Sequence, residues 1–484
     1  MPSPTIVSYE AIRDRYQALG QGHVFRFWKE LGDGQKQGLL AQAALLEPRL
    51  EDMLRAVPIQ PADPSQAPSQ PGGLAVDVKP LAGAIALPRY GGDPAAFEEA
   101  CELGAAVLRA GRVAALVVAG GQGTRLRFDG PKGNYPLGPV TDRTLFGLQA
   151  QKLRGLRARW GRTVPWYVMT SPATDSATRE SFEAEEYFGL EPADVQIFCQ
   201  GMAPAVGFDG RLLLESPGKI VENPNGHGGV LTALDESGAL DDMERRGIDL
   251  IFYYQVDNPL VQIGDPAYLG FHEQEEAEMS CKVVRKQDPM AKVGVVAEVD
   301  GRVSMLEYTE LPESFRDARD DANDLVYWAG NTAMHLLQTS FVRRIARKPS
   351  AHLPYHASPK SIPYVDDTGG QHEPRTPNGY KLERFVFDAL PAARRACVLE
   401  ADPAREFSPI KNAEGSESPE TARRDLVAQY RLWMEAAGLP TSTGTPLIEI
   451  DHAYMDNLDD ARALECPPKG DLVDRIRFGP EVHA

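Results

Sequence analysis

The sequence predicts an α/β protein in which helices alternate with the strands of a mostly parallel, doubly wound sheet. Short β-branched apolar runs recur at 115–119, 164–170, 195–200 and 250–256, and segments with helical spacing, such as 145–156, separate them. That alternation is the pattern of βαβ units. A hydrophobic content of 42% over 484 residues is also enough to bury a large core, and the length suggests more than one domain.

In chain order, apolar residues at three and four spacing (Phe25, Phe27, Trp28, Leu31, then Leu39, Leu40, Leu45, Leu46) predict a helical amino-terminal region. The stretch 57–77, rich in Pro, Ser, Gln and Gly, cannot sustain a helix or a central strand and reads as a linker or a surface-wrapping arm. The sheet-forming runs follow. In such sheets ligands sit beyond the carboxyl ends of the strands, so the loops after the runs are where function is expected. Residues 419–437 read as a further helix, followed by the apolar TPLIEI and a polar tail.

With 51 basic and 69 acidic residues, the formal charge is −18, which argues against general adhesion to nucleic acid or to anionic membrane. Any anionic substrate must therefore meet locally concentrated cations. The five cysteines, Cys101, Cys199, Cys281, Cys397 and Cys466, form no CxxC pair, so neither a disulfide framework nor a structural zinc site is expected, and reduced thiols in a cytoplasm fit best. The first residues, MPSPTIVSYEAIRDRY, lack a signal-peptide pattern, and no apolar run is long enough to cross a bilayer.

One loop stands out. In ALVVAGGQGTRLRFDGPKGNYPL, Gly120, Gly121 and Gly123 directly follow a buried strand, where glycine lets backbone N–H groups approach a phosphate. A Walker A loop fails because Lys132 is followed by Gly133 rather than Ser or Thr, and a dinucleotide fingerprint fails because Leu126 fills its third glycine position. A glycine turn with two cations, Arg125 and Lys132, remains. It suits a triphosphate whose charge must be neutralised, and a plain surface turn is the alternative on these residues alone.

The motifs taken together resemble the UDP-sugar pyrophosphorylases, above all the eukaryotic-type UDP-N-acetylglucosamine pyrophosphorylases. AGGQGTRL with PKG is followed in order by FCQGMAPAVGFDGRLLLES, PNGHGGVLTAL, YYQVDNPLV, KVGVVAEVDGR with LEYTEL, AGNTAMH, IPYVDD with PNGYKLERFVFD, and EFSPIKNAE. HVFRFWKEL resembles the family's helical start.

The resemblance implies a central glycosyltransferase-A-like (Rossmann-like) mixed sheet flanked by helices. It also implies three parts: a helical amino-terminal region with its linker (1–95), a nucleotidyltransferase domain (96–412) and a small carboxy-terminal domain (413–484). The implied reaction joins UTP and N-acetylglucosamine 1-phosphate, releasing pyrophosphate, with Mg²⁺ (Mn²⁺ as the alternative). The same chemistry on glucose, galactose or N-acetylgalactosamine 1-phosphate is the nearest rival, and a catalytically silent nucleotide-sugar binder is a more distant one.

By resemblance, Arg125 and Lys132 contact the UTP phosphates, while Lys381 and Lys411 add positive charge. Val118, Ala119, Gly120 and Gly121 support the nucleotide, Gln200 and the backbone of Gly226 read uracil, and Asp257 serves metal and nucleotide. Gly294, Glu307, Tyr308 and Asn331 are implied sugar contacts. His227 is a departure: N-acetylglucosamine enzymes of this family usually show Asn-Gly-Gly there, and UDP-glucose enzymes His-Gly-Asp, whereas this chain has His227-Gly228-Gly229. A changed sugar preference is expected from that position, because imidazole and carboxamide differ in shape and donor pattern.

Overall fold

The computed structural model describes residues 8–58, 77–308, 311–439, 447–462 and 475–478. Most of the proline-rich stretch (59–76) and Cys466 lie outside the described residues. The chain forms two compact units: Met1–Ala75, Gln200–Thr232 and Arg347–Ala389 make one, and Val76–Cys199, Ala233–Ala346 and Leu390–Ala484 the other.

The larger unit is organised by a ten-stranded sheet. Its strands in chain order are β1 (Val78–Lys79), β2 (Val113–Val118), β3 (Trp166–Thr170), β4 (Val195–Cys199), β5 (Leu250–Gln255), β6 (Met279–Arg285), β7 (Val295–Val299), β8 (Arg302–Leu306), β9 (Ala329–Gln338) and β10 (Ala396–Glu400). They lie side by side as β1-β7-β9-β5-β2-β3-β4, with β8 paired to β7, and with β6 between β9 and β10. Strands β5, β2, β3 and β4 run parallel, as strands joined through helical crossovers do.

The rest is mostly antiparallel, so the sheet is mixed, as the family resemblance implies, rather than mostly parallel, as the apolar runs alone suggest. Strand β9 runs against both β5 and β6, and β7 and β8 form a hairpin. Its turn is Asp300-Gly301, both at positive φ (49° and 72°), the conformation that a two-residue hairpin turn demands.

Apolar side chains of β2, β3 and β5, among them Val113, Val117, Trp166 and Phe252, share one buried cluster with Phe146 and Leu153 of the helix Leu145–Trp160. That helix starts at Thr144, whose side chain accepts the Gly147 N–H, and ends at Gly161 in the left-handed conformation. The carboxy-terminal residues join the same cluster. In the helix Pro419–Ala436, opened by a Ser418–Thr421 capping box, Ala422, Leu426, Tyr430 and Trp433 face it, as do Ile448 and Ile450. The expected division into 1–95, 96–412 and 413–484 therefore differs from the two units observed, in which the described apolar residues past 412 share the core of the large sheet.

The smaller unit packs the helices Tyr9–Ala18 and Asp33–Arg55 with short strands. Its own core includes Tyr16, Leu39, Ala43, Leu46, Ala203, Val206 and Leu382. A three-stranded sheet orders His356–Lys360, Gly379–Glu383 and Val206–Gly207.

Candidate active site

Strands β2 and β5 end side by side, with Val118 opposite Gln255. Beyond β2 comes the glycine loop, and two residues beyond β5 comes Asp257. The loop is closed by its own backbone: Gly123 N–H donates to Gly130 O (2.8 Å) and Lys132 N–H to Gly121 O (3.0 Å). This returns Lys132 beneath Gly121. Its ammonium lies 3.6 Å from Oδ2 of Asp257 and donates to the Ile410 carbonyl at 3.4 Å.

Lys411, the next residue, pairs with Glu417 at 3.0 Å. Of the four implied cations, Lys132 pairs with Asp257 at this strand end, and Lys411 follows Ile410, whose N–H donates to the Asp257 carbonyl at 2.9 Å. Arg125 stands exposed on the short turn Thr124–Leu126.

The glycines differ in why they are glycine. A Cβ on Gly123 would strike Phe128 at 2.7 Å and one on Gly133 would strike Phe146 at 2.1 Å, so packing demands both. A Cβ on Gly121 would meet nothing within 4 Å among the described residues. The space above Gly121 is open, and Gly120 beside it is held by Ser171, whose hydroxyl donates to the Gly120 carbonyl at 2.7 Å.

Three of the four implied sugar contacts also come together in this unit. Asn331 N–H donates to Gly294 O at 2.9 Å, and Val295, next to Gly294, pairs with Leu306, next to Glu307. The Asn331 side chain accepts at 3.0 Å from the N–H of Ala333, which is itself at positive φ (57°). Because β9 runs against β5, with Tyr253 opposite His335, its Asn331 half lies toward the carboxyl end of β5. Tyr308 is exposed.

In the smaller unit, Gln200 is buried. It precedes Gly201, whose carbonyl accepts the Asn225 N–H (3.1 Å) immediately before Gly226. Gly226 has φ 83°, and a Cβ there would lie 2.4 Å from the Arg384 carbonyl. The Gly228 N–H donates to that same carbonyl and Arg384 N–H to Asn225 O, both at 2.8 Å, so the turn 225–228 is stitched to the chain leaving the strand Gly379–Glu383, which carries Lys381.

His227 Nδ1 accepts the Val386 N–H at 3.2 Å, and its ring stacks on Phe385 at 5.3 Å. Burial, with the neighbouring His356 as a lesser cause, pushes its pKa down to about 4. The ring is neutral near pH 7, with its proton on Nε2.

Several residues with evident roles carry no sequence signal. Gln149 donates to the Val256 carbonyl (3.0 Å), and Lys152 to those of Pro259 and Val261 (2.8 Å each), so the helix Leu145–Trp160 fixes both flanks of Asp257. Burial pushes the Lys152 pKa down to about 8. In sequence both look like ordinary polar helix residues. Only the fold places them under a turn more than a hundred positions away.

Among the described residues no three His, Cys, Asp or Glu side chains gather as a metal-binding group, and no helix is long and apolar enough to cross a membrane. Residues 99–468 match the family described as UTP--glucose-1-phosphate uridylyltransferase. The chain is 39% identical over 486 residues to the human UDP-N-acetylhexosamine pyrophosphorylase-like protein 1, covering 99% of this chain and 93% of that one. It is 33% identical to the UDP-N-acetylglucosamine pyrophosphorylase of Saccharomyces cerevisiae, covering 89% of this chain and 92% of the relative. The uridine diphosphate N-acetylglucosamine pyrophosphorylase of Trypanosoma brucei, solved with an inhibitor, superimposes with a TM-score of 0.82 at 25% identity, over 99% of this chain and 100% of that one. The glycine loop beside Asp257, the mixed sheet that presents them and the match over residues 99–468 agree: the chain belongs to the UTP--glucose-1-phosphate uridylyltransferase family.

Proposed function

We propose that this enzyme transfers the uridylyl group of UTP to N-acetylglucosamine 1-phosphate, giving UDP-N-acetylglucosamine and pyrophosphate. The observation that carries the reading is the pairing of Lys132 with Asp257 where the parallel strands β2 and β5 end, with open space at Gly121 and with Lys411 directly after Ile410, whose N–H donates to the Asp257 carbonyl. In the transfer, a phosphate oxygen of the sugar 1-phosphate attacks the α-phosphorus of UTP in line. The new O–P bond forms as the bond to the bridging oxygen of the β-phosphate breaks, and that oxygen leaves with pyrophosphate.

No protein nucleophile is required, so the protein's work is positioning and charge neutralisation. Lys132 is assigned to the α-phosphate and Arg125, Lys381 and Lys411 to the remaining phosphate charge. Val118, Ala119, Gly120 and Gly121 cradle the nucleotide, and Gln200 with the Gly226 backbone reads the uracil edge. Gly294, Glu307, Tyr308, Asn331 and His227 are assigned to the sugar.

Asp257 suits Mg²⁺. A single buried carboxylate at a strand end matches an ion that takes one or two carboxylates and otherwise phosphate oxygens and water. Such an ion supplies charge neutralisation on the phosphates. Chelation by EDTA is expected to abolish turnover, and restored Mg²⁺ to recover it. The four described cysteines are free thiols, which supports a cytoplasmic setting.

One observation favours a second sugar, glucose 1-phosphate. With Nδ1 occupied by the Val386 N–H, His227 offers only a donor at Nε2, whereas the asparagine usual in N-acetylglucosamine enzymes offers donor and acceptor. Specificity constants for pyrophosphate release across a panel of sugar 1-phosphates decide between them. N-acetylglucosamine 1-phosphate leading supports the first reading, and glucose 1-phosphate leading replaces it with the second.

A further inference from the structure

We propose that Asn258 is a positioning residue for the phosphate-facing lysines, acting through the segment 406–411, which it fastens to the end of β5. The proposal rests on the phosphate role given above to Lys132 and Lys411. Asn258 is 3% exposed. Its Nδ2 donates to the Glu406 carbonyl at 2.7 Å, and its Oδ1 accepts the Ser408 N–H at 3.1 Å and the Leu260 N–H at 3.3 Å.

One residue earlier, the Asp257 carbonyl accepts the Ile410 N–H at 2.9 Å, and the Ile410 carbonyl in turn accepts from Lys132 at 3.4 Å. Alternate residues 406, 408 and 410 are therefore held along the edge of the Asp257 turn. A side-chain amide does there what a neighbouring strand would do. Lys411 follows directly.

Two further bonds load the same segment. The Glu406 carboxylate pairs with the buried Lys282, which also binds Asp265 at 2.6 Å. The Ser408 hydroxyl donates to Asp425 of the helix Pro419–Ala436 at 2.7 Å.

Both ends of the Asn258 amide are committed to backbone groups, so its effect on the reaction passes through the cations rather than through contact with substrate. Truncating it strands a buried carbonyl at 406 and a buried N–H at 408. The segment then loses its register, and with it the Ile410 carbonyl that sets Lys132. A carboxylate at 258 keeps the acceptor for Ser408 but turns the donor to Glu406 into a repulsion, giving an intermediate case.

The test compares Asn258→Ala and Asn258→Asp with the unmodified full chain, by steady-state kinetics and by hydrogen exchange of the peptides spanning 406–411. Turnover is expected to fall about thirtyfold or more in Asn258→Ala and less in Asn258→Asp, with the KM for sugar phosphate within about threefold, and exchange at 408 and 410 to quicken. Faster exchange with unchanged turnover makes Asn258 merely structural and overturns the proposal, and so does unaltered exchange.

If Asn258→Ala does not fold, Asn258→Asp decides: unaltered exchange at 408 and 410, or faster exchange with unchanged turnover, overturns the proposal equally. No pyrophosphate from the unmodified chain with any sugar defeats the functional reading, and the catalytic part of this one with it. The exchange rates then still decide whether the fastening exists.

Discussion

Lys132 is half-buried between a carboxylate and a carbonyl, so its charge is already directed at the strand ends before any substrate arrives. Lys132→Ala is expected to lower kcat by about 10²–10³, the cost of losing one preorganised electrostatic contact, while changing the affinity for sugar phosphate little. Equal kcat in the variant, measured by steady-state kinetics, removes Lys132 from the chemistry. His272, far from this role, carries a different prediction. Burial, with Arg112 as a lesser cause, pushes its pKa down to about 4, whereas the unfolded chain keeps about 6.5. The folded state thus binds this proton less readily, so the stability present above pH 6.5 is lost progressively as pH falls toward 4. His272→Gln is expected to flatten that decline in urea-unfolding midpoints at pH 7, 5 and 4, and an equally steep decline contradicts it. Lys132 and Asp257 were legible in the sequence because each sits at a short offset from a glycine loop or an apolar run. Asn258, Gln149 and Lys152 were not, because their partners are backbone groups that only tertiary folding brings near.

Two glycine turns, one in each unit, illustrate how an element can be constrained by the protein or left open for a ligand. Gly226 is at φ 83° with the Arg384 carbonyl 2.4 Å from any Cβ, so Gly226→Ala is expected to cost about 2 kcal/mol or more, read as a lowered thermal midpoint. Gly121 has neither constraint. Gly121→Ala is therefore expected to leave stability within about 0.5 kcal/mol, yet to lower kcat/KM for UTP about tenfold or more, since the methyl enters the space assigned to the nucleotide, and tenfold corresponds to about 1.4 kcal/mol. Wild-type kinetics in that variant show that no ligand uses the space. The parallel strands were legible from their apolar runs and the helices between them. The antiparallel part followed from the family resemblance to a mixed-sheet fold but not from the apolar runs: its signal, the Asp300-Gly301 turn joining β7 and β8, belongs to a hairpin and is silent in a pattern of βαβ units.

At the scale of the whole molecule, the chain leaves and re-enters each unit, so a division drawn along the sequence could not match one set by packing. Residues past 412 supply Tyr430, Trp433, Ile448 and Ile450 to the core beneath the large sheet. A fragment ending at 412 is accordingly expected to lose cooperative unfolding and near-ultraviolet circular dichroism; a fragment that melts as sharply as the full chain shows a separable carboxy-terminal domain after all. With a net charge of −18, anionic substrates depend on the few cations at the strand end, where Lys132 pairs with Asp257 and Lys411 with Glu417 until phosphate arrives. The central claim, uridylyl transfer driven by those cations, is tested most directly by pyrophosphate release from UTP, Mg²⁺ and N-acetylglucosamine 1-phosphate, with Lys132→Ala run beside the unmodified chain. Release is expected to require both substrates and nearly to vanish in the variant. Release that persists undiminished in the variant, or none from the unmodified chain with any sugar 1-phosphate, contradicts that claim.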